Sequence, residues 1–289
     1  MPTRKHPRPS TAREAGDRLK LHRHDLRDYQ VITLRPGTRA RFSTNHHHET
    51  WHVLSDPHGA LLLGRLLWGL SYQRRPGTLV VIDRRFIDPN PFDAEPGDPV
   101  ALVPADLTHL PARTARHLAR RCAAPGPPSG TVRWHTWGLD QAVRERRAWL
   151  ADQSWHPPGD DYRRADVAQL GGLVRVQATS SLLRSWAVSV VVMADYAYDG
   201  MSYTGLAGSD GNLCRAEGEV QTFTDYRRRV SVAKVSREEV LATAPPSTSP
   251  ADLRPLIWDQ NDTVRSRRDD HRRGAGRSGP SRRRGISPG

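Results

Sequence analysis

The residues best suited to chemistry lie between Asn45 and Gly59, in the segment NHHHETWHVLSDPHG. This segment holds five histidines and one glutamate, among them His46, His48 and His52. Imidazole is a natural ligand for zinc, iron, nickel and copper. The segment therefore indicates a site for one of these divalent transition metals, with a histidine-rich surface turn as the alternative.

Two local structures would use these residues differently. In a helix, the sequence HETWH at residues 48–52 is an HExxH pattern. That pattern places two imidazoles one turn apart, with the carboxylate of Glu49 as a general base. His58 then lies at the spacing of the third ligand in the metzincin zinc peptidases, which the segment resembles in this respect. Three consecutive histidines followed by Thr and Trp near the centre are weak helix formers, which disfavours this alternative.

In a β-hairpin, His46 and His48 point to one side of a strand, because side chains alternate with a period of two. Here the sequence resembles the cupin superfamily, whose small β-barrels carry an HxH pair, an acid and a closing glycine. His52 stands at the acid position and Gly59 closes the motif. A second partial motif ends at His109, so that the resemblance covers about residues 28–115. It implies that His46, His48, His52 and His109 bind the metal inside a barrel.

The elements that would position these residues are short apolar runs separated by Pro and Gly turns. They fill residues 25–110 and include the run ALLLGRLLWGLSYQ at 60–73. Such a series predicts a β-rich, barrel-like N-terminal domain. A helix predicted over 111–124 completes this domain at residues 25–124, and the sequence PGPP at 125–128 indicates a linker.

The second half of the chain, residues 130–244, has the mixed pattern of an α+β domain. A strand is predicted at 131–137 and an amphipathic helix over 139–153. Strand-like runs follow at 173–178, 186–198 and 219–235, with a short helix in REEVLATA at 237–244. The chain as a whole is therefore expected to be α+β.

Both ends of the chain have the composition of disordered segments. Residues 1–24 form a basic arm rich in Pro, and residues 245–289 combine a Pro/Ser linker with an Arg-rich tail. The net charge of +13 is concentrated there, since residues 1–27 carry +5 and residues 263–289 carry +7. The tails predict non-specific, salt-dependent binding of nucleic acid.

A second basis for nucleic-acid binding is an interleaved set of tryptophans and arginines. Aromatic rings and guanidinium groups in combination stack on bases and contact phosphates. The alternative is that the tryptophans belong to the core and the arginines to a solvated helix face. The residues are Trp134, Trp137, Trp149, Trp155, Arg133, Arg144, Arg146 and Arg147.

The remaining features bear on location and function. Cys122 and Cys214 are too few and too far apart for a disulfide framework. No apolar stretch follows the basic N-terminus, and no run reaches the roughly 20 residues that cross a bilayer. The sequence predicts a cytoplasmic protein without a membrane partner. Its leading function is binding of a small-molecule ligand or metal, with turnover left open, and its alternative is association with nucleic acid.

Overall fold

The computed structural model describes residues 18–123, 126–151, 165–195, 200–206 and 218–277. Within these residues the chain is α+β, with eleven strands and six helices, which confirms the expected class. The strands are β1 (Arg18–Leu26), β2 (Tyr29–Thr33), β3 (Phe42–His47), β4 (Thr50–Ser55), β5 (Thr78–Ile82), β6 (Val100–Pro104), β7 (Gly130–His135), β8 (Asp166–Leu170), β9 (Leu173–Ala178), β10 (Met201–Gly205) and β11 (Gly218–Phe223). The helices are α1 (Pro57–Ser71), α2 (Ala112–Ala123), α3 (Leu139–Ala151), α4 (Ser180–Met193), α5 (Tyr226–Thr243) and α6 (Pro250–Arg277).

Seven strands form a mixed sheet, called the large sheet below, in the spatial order β7, β1, β2, β5, β6, β9, β8. The pairs β2 with β5 and β6 with β9 are parallel, and the other neighbours are antiparallel. Parallel neighbours need a long crossover connection. The segment between β2 and β5 supplies one, and it contains β3, β4 and α1. The four remaining strands form the small sheet, in the order β10, β11, β4, β3.

The predicted N-terminal barrel is not formed by the described residues. The strands of residues 25–124 are divided between two open sheets, because β3 and β4 pair with each other and β4 also pairs with β11, outside the large sheet. The large sheet also takes β7, β8 and β9 from the second half of the chain. Local alternation predicts strands but does not specify which strands pair.

Three segments expected in strands are helices wholly or in part. The run over residues 219–235 is a strand only as far as Phe223 and is helical from Tyr226, in α5. The other two are apolar. Residues 60–73 lie largely in α1, and the run from residue 186 lies in α4. The side chain of Asp56 caps α1 by accepting from the backbone N–H of Gly59 at 2.7 Å, and Thr179 caps α4. Both helices are buried on several sides, and a continuous apolar run has no periodicity that separates a buried helix from a buried strand.

The core lies between the large sheet and the pair α1 and α4. Neighbouring strands contribute buried side chains to this face: Leu21, Ile32, Val80, Leu102 and Val176. Leu66 of α1 and Leu183 of α4 pack against them. Removal of this apolar surface from water is the main force that joins the helices to the sheet.

The opposite face of the large sheet is covered in part by α2. Leu118 and Ala115 of this helix pack on Val31, Leu79 and Val103. The helix agrees with the one predicted over 111–124. Towards β1 and β7 this face carries polar side chains.

The chain divides into two compact units, one made of residues up to 90 together with 95–227, and one made of residues 91–94 together with the chain from 228 onward. In the second unit, α6 occupies much of the segment predicted to be a linker and disordered tail. Its buried positions Leu253, Ile257, Asn261 and Val264 follow the helical period. The side chain of Asn261 donates to the carbonyl oxygen of Phe92 at 2.7 Å.

Three further findings concern the ends of the chain and the helices. The sequence predicts disorder over 1–24, whereas β1 begins at Arg18. Residues 1–17 and 278–289 of the predicted tails lie outside the described residues. Among the helices of the described part, none combines the length and the apolar character needed to cross a membrane.

Candidate functional site

The hairpin of β3 and β4 carries three of the four predicted metal ligands. Its turn is tight, because His48 and Glu49 both have positive φ, 47° and 63°. Two-residue turns of this kind match the twist of the flanking strands. The hairpin interpretation of this segment is confirmed, and the HETWH helix does not form. His48 is therefore a turn residue and not a strand neighbour of His46.

His46 and His52 project from opposite faces of the small sheet. His46 pairs in register with Trp51, and their ring centroids lie 4.8 Å apart. His52 pairs with Asn45, one position further along each strand, so alternation places it on the other face. His109 lies in the loop between β6 and α2.

A metal at His46, His48, His52 and His109 stays a prediction. Across the described residues, no three His, Cys, Asp or Glu side chains are grouped in a way that could hold a metal ion. Metal analysis of the purified wild-type protein and of His109→Ala tests the set. Loss of bound metal in the variant supports it, whereas a metal-free wild-type protein contradicts it.

His52 contacts a carboxylate from a distant part of the sequence. Its Nε2 donates to Oε2 of Glu219 across 3.2 Å, and the two residues pair in register on β4 and β11. Gln221 donates to the same oxygen at 2.7 Å. Burial raises the pKa of Glu219, but the two hydrogen bonds and the interaction with the charge of His52 outweigh it, so that the pKa lies below its ordinary value.

The pair formed by His52 and Glu219 is better placed for a structural role than for a catalytic one. The Nδ1 of His52 is buried and has no hydrogen-bond partner among the described residues. A general base must come within hydrogen-bond reach of the proton that it removes. With one ring nitrogen on Glu219 and the other buried, His52 links two parallel strands. Nothing in the sequence around His52 points to Glu219, because the contact depends on strand order.

A second group of polar side chains lies on the large sheet, beside the region that α2 covers. His22 and His24 of β1 have ring centroids 6.4 Å apart in an edge-on arrangement. The Nε2 of His24 shares a hydrogen bond of 3.3 Å with the hydroxyl of Thr33 on β2. We call this group the histidine–arginine cluster, and its members are His22, His24, Thr33, Arg35, Asp83, Arg85 and Arg121.

Asp83 is fully buried and is used by Arg85. It accepts from Nε of Arg85 at 2.9 Å and from Nη2 at 2.7 Å. It also accepts from the backbone N–H of Arg85, which caps the short 3₁₀ turn Arg84–Phe86 that follows β5. Bidentate pairs of this kind are strong and geometrically specific. Asp83 is therefore not positioned to pair with the other guanidinium groups of the cluster.

Within the described residues, neither Arg35 nor Arg121 forms an ion pair with a carboxylate. The Nε of Arg35 is buried there without a hydrogen-bond partner. Arg121 is exposed in the last turn of α2. A buried polar donor that makes no hydrogen bond is costly, and most such groups in proteins have a partner. The Nε of Arg35 is therefore a buried donor that no acceptor within the described residues satisfies.

The two imidazoles lie in a positive potential. Burial and the charge of Arg35 lower the pKa of His22, whereas burial and the charge of Arg121 lower the pKa of His24. Arg85 lowers both pKa values further, and the negative charge of Asp83 opposes the effect in both cases. Since each pKa lies below the ordinary value of 6.5, the neutral form of both imidazoles predominates at pH 7.

Removal of one guanidinium group should shift the pKa of one imidazole more than that of the other. Arg35→Gln is expected to raise the pKa of His22, because the charge of Arg35 lowers that value and is not among the causes that act on His24. Arg121→Gln is expected to raise the pKa of His24, and to affect His22 only through the interaction between the two imidazoles. NMR titration of the two imidazoles measures both values. Equal shifts of the two pKa values in either variant would contradict the arrangement.

Strand β7 extends this polar face to the edge of the sheet. Lys20 of β1 pairs in register with Arg133 of β7, so both lie on the same face as His22. His135 lies two residues after Arg133 and therefore shares that face. Just beyond β7, the ring of Trp137 is 60% exposed and its centroid lies 4.6 Å from that of His135. We call Lys20, His22, His24, Arg133, His135 and Trp137 the basic strip.

The predicted tryptophan and arginine surface is divided by the structure. Trp134 belongs to the core, whereas Trp137 is exposed. Arg144 and Arg147 are exposed on α3, and Arg147 forms an ion pair with Asp195. Trp155 and the side chain of Trp149 lie outside what the structure describes.

His22 and His24 fall in the arm for which composition predicts disorder, and they are not among the site residues that the sequence predicts. The available signal is the alternation LKLHRH at residues 19–24, in which Leu19 and Leu21 face the core. This alternation covers too few residues to stand out beside a Pro-rich basic arm.

Comparisons with protein-family profiles, with curated proteins and with solved structures find no match to this chain.

Proposed function

We propose that the protein binds the phosphate group of a small anionic ligand at the histidine–arginine cluster. The observation that supports this most strongly is the Nε of Arg35, which is buried without a partner among the described residues. An unsatisfied buried donor costs about 1–3 kcal/mol, and more when the group is charged. A ligand oxygen that accepts from Arg35 would recover this free energy.

The composition of the cluster favours phosphate among anions. Arg35 and Arg121 supply guanidinium donors, and His22 supplies a neutral donor. His24 and Thr33, which share a hydrogen bond, leave one further neutral donor between them. A phosphate group offers several oxygens that can accept from different directions at once. Arginine is also well suited to bidentate recognition of phosphate.

The geometry supports binding and not turnover. Asp83 is the carboxylate of the cluster, and its side chain bonds Arg85 instead of either imidazole. A histidine acting as a general base usually needs a partner that orients it towards the substrate. The proposal keeps the small-ligand class that the sequence predicts and moves the site from the small sheet to the large sheet.

Titration calorimetry with inorganic phosphate tests the proposal. Arg35→Gln is expected to weaken phosphate binding at least tenfold, since a hydrogen bond to a charged group contributes about 1.5–3 kcal/mol. Arg144→Ala, which removes an exposed arginine of α3, is the matched control and should bind as the wild type does. Absence of saturable binding to the wild type, or equal affinities in the two variants, would overturn the proposal.

A further inference from the structure

We infer that the basic strip binds single-stranded nucleic acid, with one phosphate in the histidine–arginine cluster and a base on Trp137. This inference rests on the proposed function, because the cluster supplies one of the phosphate sites. It goes beyond that function by committing to a polymer.

The strip is long enough for several nucleotides. It runs along β1 from His24 past Lys20, and along β7 as far as His135, which pairs with Arg18 at the start of β1. Six residues of β-strand span about 20 Å. Successive phosphates of a stacked strand are separated by about 3.4 Å along its axis and by more when the strand is extended. A small phosphate compound would occupy the cluster and leave the rest of this length unused.

The charges of the strip favour an anionic partner. Lys20 and Arg133 lie directly opposite each other on antiparallel strands, and both are exposed. Like charges in this arrangement destabilise a sheet. Neither side chain forms an ion pair with a carboxylate in the described part of the chain. A phosphodiester backbone along the strip would neutralise both charges.

Trp137 has the geometry of a stacking platform. Its backbone is held by the core, because its carbonyl oxygen accepts from Nε1 of the buried Trp68 at 2.9 Å. Its ring is exposed beside that of His135. A large aromatic ring with a fixed backbone loses little conformational entropy when a base stacks on it. Stacking of this kind contributes about 1–3 kcal/mol per base and tolerates any sequence.

The exposed ring also decides between single-stranded and double-stranded nucleic acid. In a duplex the base faces are stacked on each other and are not available to a side chain on a sheet surface. In a single strand they can be turned out onto aromatic side chains. The strip should therefore prefer single strands to a duplex of the same length.

Fluorescence anisotropy on the full chain tests the inference with ten-nucleotide oligothymidine, oligouridine and a DNA duplex as probes. Trp137→Ala is expected to weaken binding of the single strands roughly tenfold. Trp258→Ala, an exposed tryptophan of α6, is the matched control and should leave binding unchanged. Arg133→Ala should lower the slope of log affinity against log salt by about one. Both single strands should bind more tightly than the duplex, and a duplex that binds as tightly as they do would contradict stacking on Trp137.

The pH dependence of binding gives a second readout. A bound phosphodiester raises the pKa of His22 and His24, so binding takes up protons. Since the neutral form of both imidazoles predominates at pH 7, affinity should rise as the pH falls through their pKa values. A phosphodiester keeps its charge over this pH range. The change in affinity therefore comes from protonation of the protein. In His22→Gln/His24→Gln this rise should be reduced, and His135, the other imidazole of the strip, leaves a remainder that should disappear in the triple variant with His135→Gln.

The outcomes separate this inference from the proposed function. If Trp137→Ala and Arg133→Ala bind single strands as the wild type does, the basic tails are the binding element and this inference is wrong. The proposed function then still stands, provided that Arg35→Gln weakens binding of inorganic phosphate. If Arg35→Gln leaves phosphate binding unchanged, the proposed function fails and this inference fails with it.

Discussion

Trp134→Ala is expected to lower the free energy of unfolding by about 3–5 kcal/mol, the range for removing a large aromatic side chain from a core. Trp134 is 1% exposed and lies against α1 so closely that a Cβ on Gly69 would be 2.2 Å from the indole nitrogen. That nitrogen also donates to the carbonyl oxygen of Arg65 at 3.3 Å. Truncation would leave a cavity and remove the partner of a carbonyl group.

Urea unfolding followed by circular dichroism measures this loss. Trp137→Ala is the natural control, because the two tryptophans are three positions apart and differ mainly in burial. Its free energy of unfolding should change by no more than about 0.5 kcal/mol, as for most surface substitutions. A loss of less than about 1 kcal/mol in Trp134→Ala would show that Trp134 is not a core residue.

The contrast between these two tryptophans shows what the sequence can and cannot predict. The segment TVRWHTW is recognisable as a strand, and β7 forms there. Alternation along the strand separates Trp134 from Arg133 and His135, but it does not say which face meets the core. That choice depends on β1, which lies more than a hundred positions earlier in the sequence and pairs with β7 in the structure.

The elements that could be predicted are those with a clear local pattern. Helices α2 and α3 and the strands β2, β5, β6, β7 and β9 fall in segments where the sequence predicts them. The helices that the sequence does not predict are hidden for physical reasons. Helices α1 and α4 are apolar on several sides, so their period is hidden. Helix α6 has few apolar residues, and Asn261 interrupts their spacing.

The candidate site was harder to predict than the fold class. The dense histidines near His48 are conspicuous in the sequence, yet the hairpin puts His46 and His52 on opposite faces of the small sheet. His22 and His24 are less conspicuous, and their importance depends on Arg35, Asp83 and other residues brought together by the large sheet. The sequence shows which side chains could do chemistry, whereas strand pairing decides which of them meet.

Gly64→Val is expected to lower the free energy of unfolding by about 3 kcal/mol, at the upper end of the usual range for overpacking a core. Helix propensity alone predicts the opposite sign, since glycine in a helix interior is the less favourable residue by a few tenths to 1 kcal/mol. The packing of α1 on α4 overrides this preference. A Cβ on Gly64 would lie 2.5 Å from Cγ2 of Val191 and 2.8 Å from the carbonyl oxygen of Ala187.

The side chain of Val191 can rotate away, but the carbonyl oxygen of Ala187 belongs to the backbone of α4 and cannot move without shifting the helix. The double variant Gly64→Val/Val191→Ala should therefore recover only part of the loss. Arg65→Val places the same β-branched residue on the next, half-exposed position of α1 and should cost less than about 1 kcal/mol. Urea unfolding of the three variants measures their free energies of unfolding. A Gly64→Val protein as stable as the wild type would mean that α1 and α4 do not approach closely at Gly64.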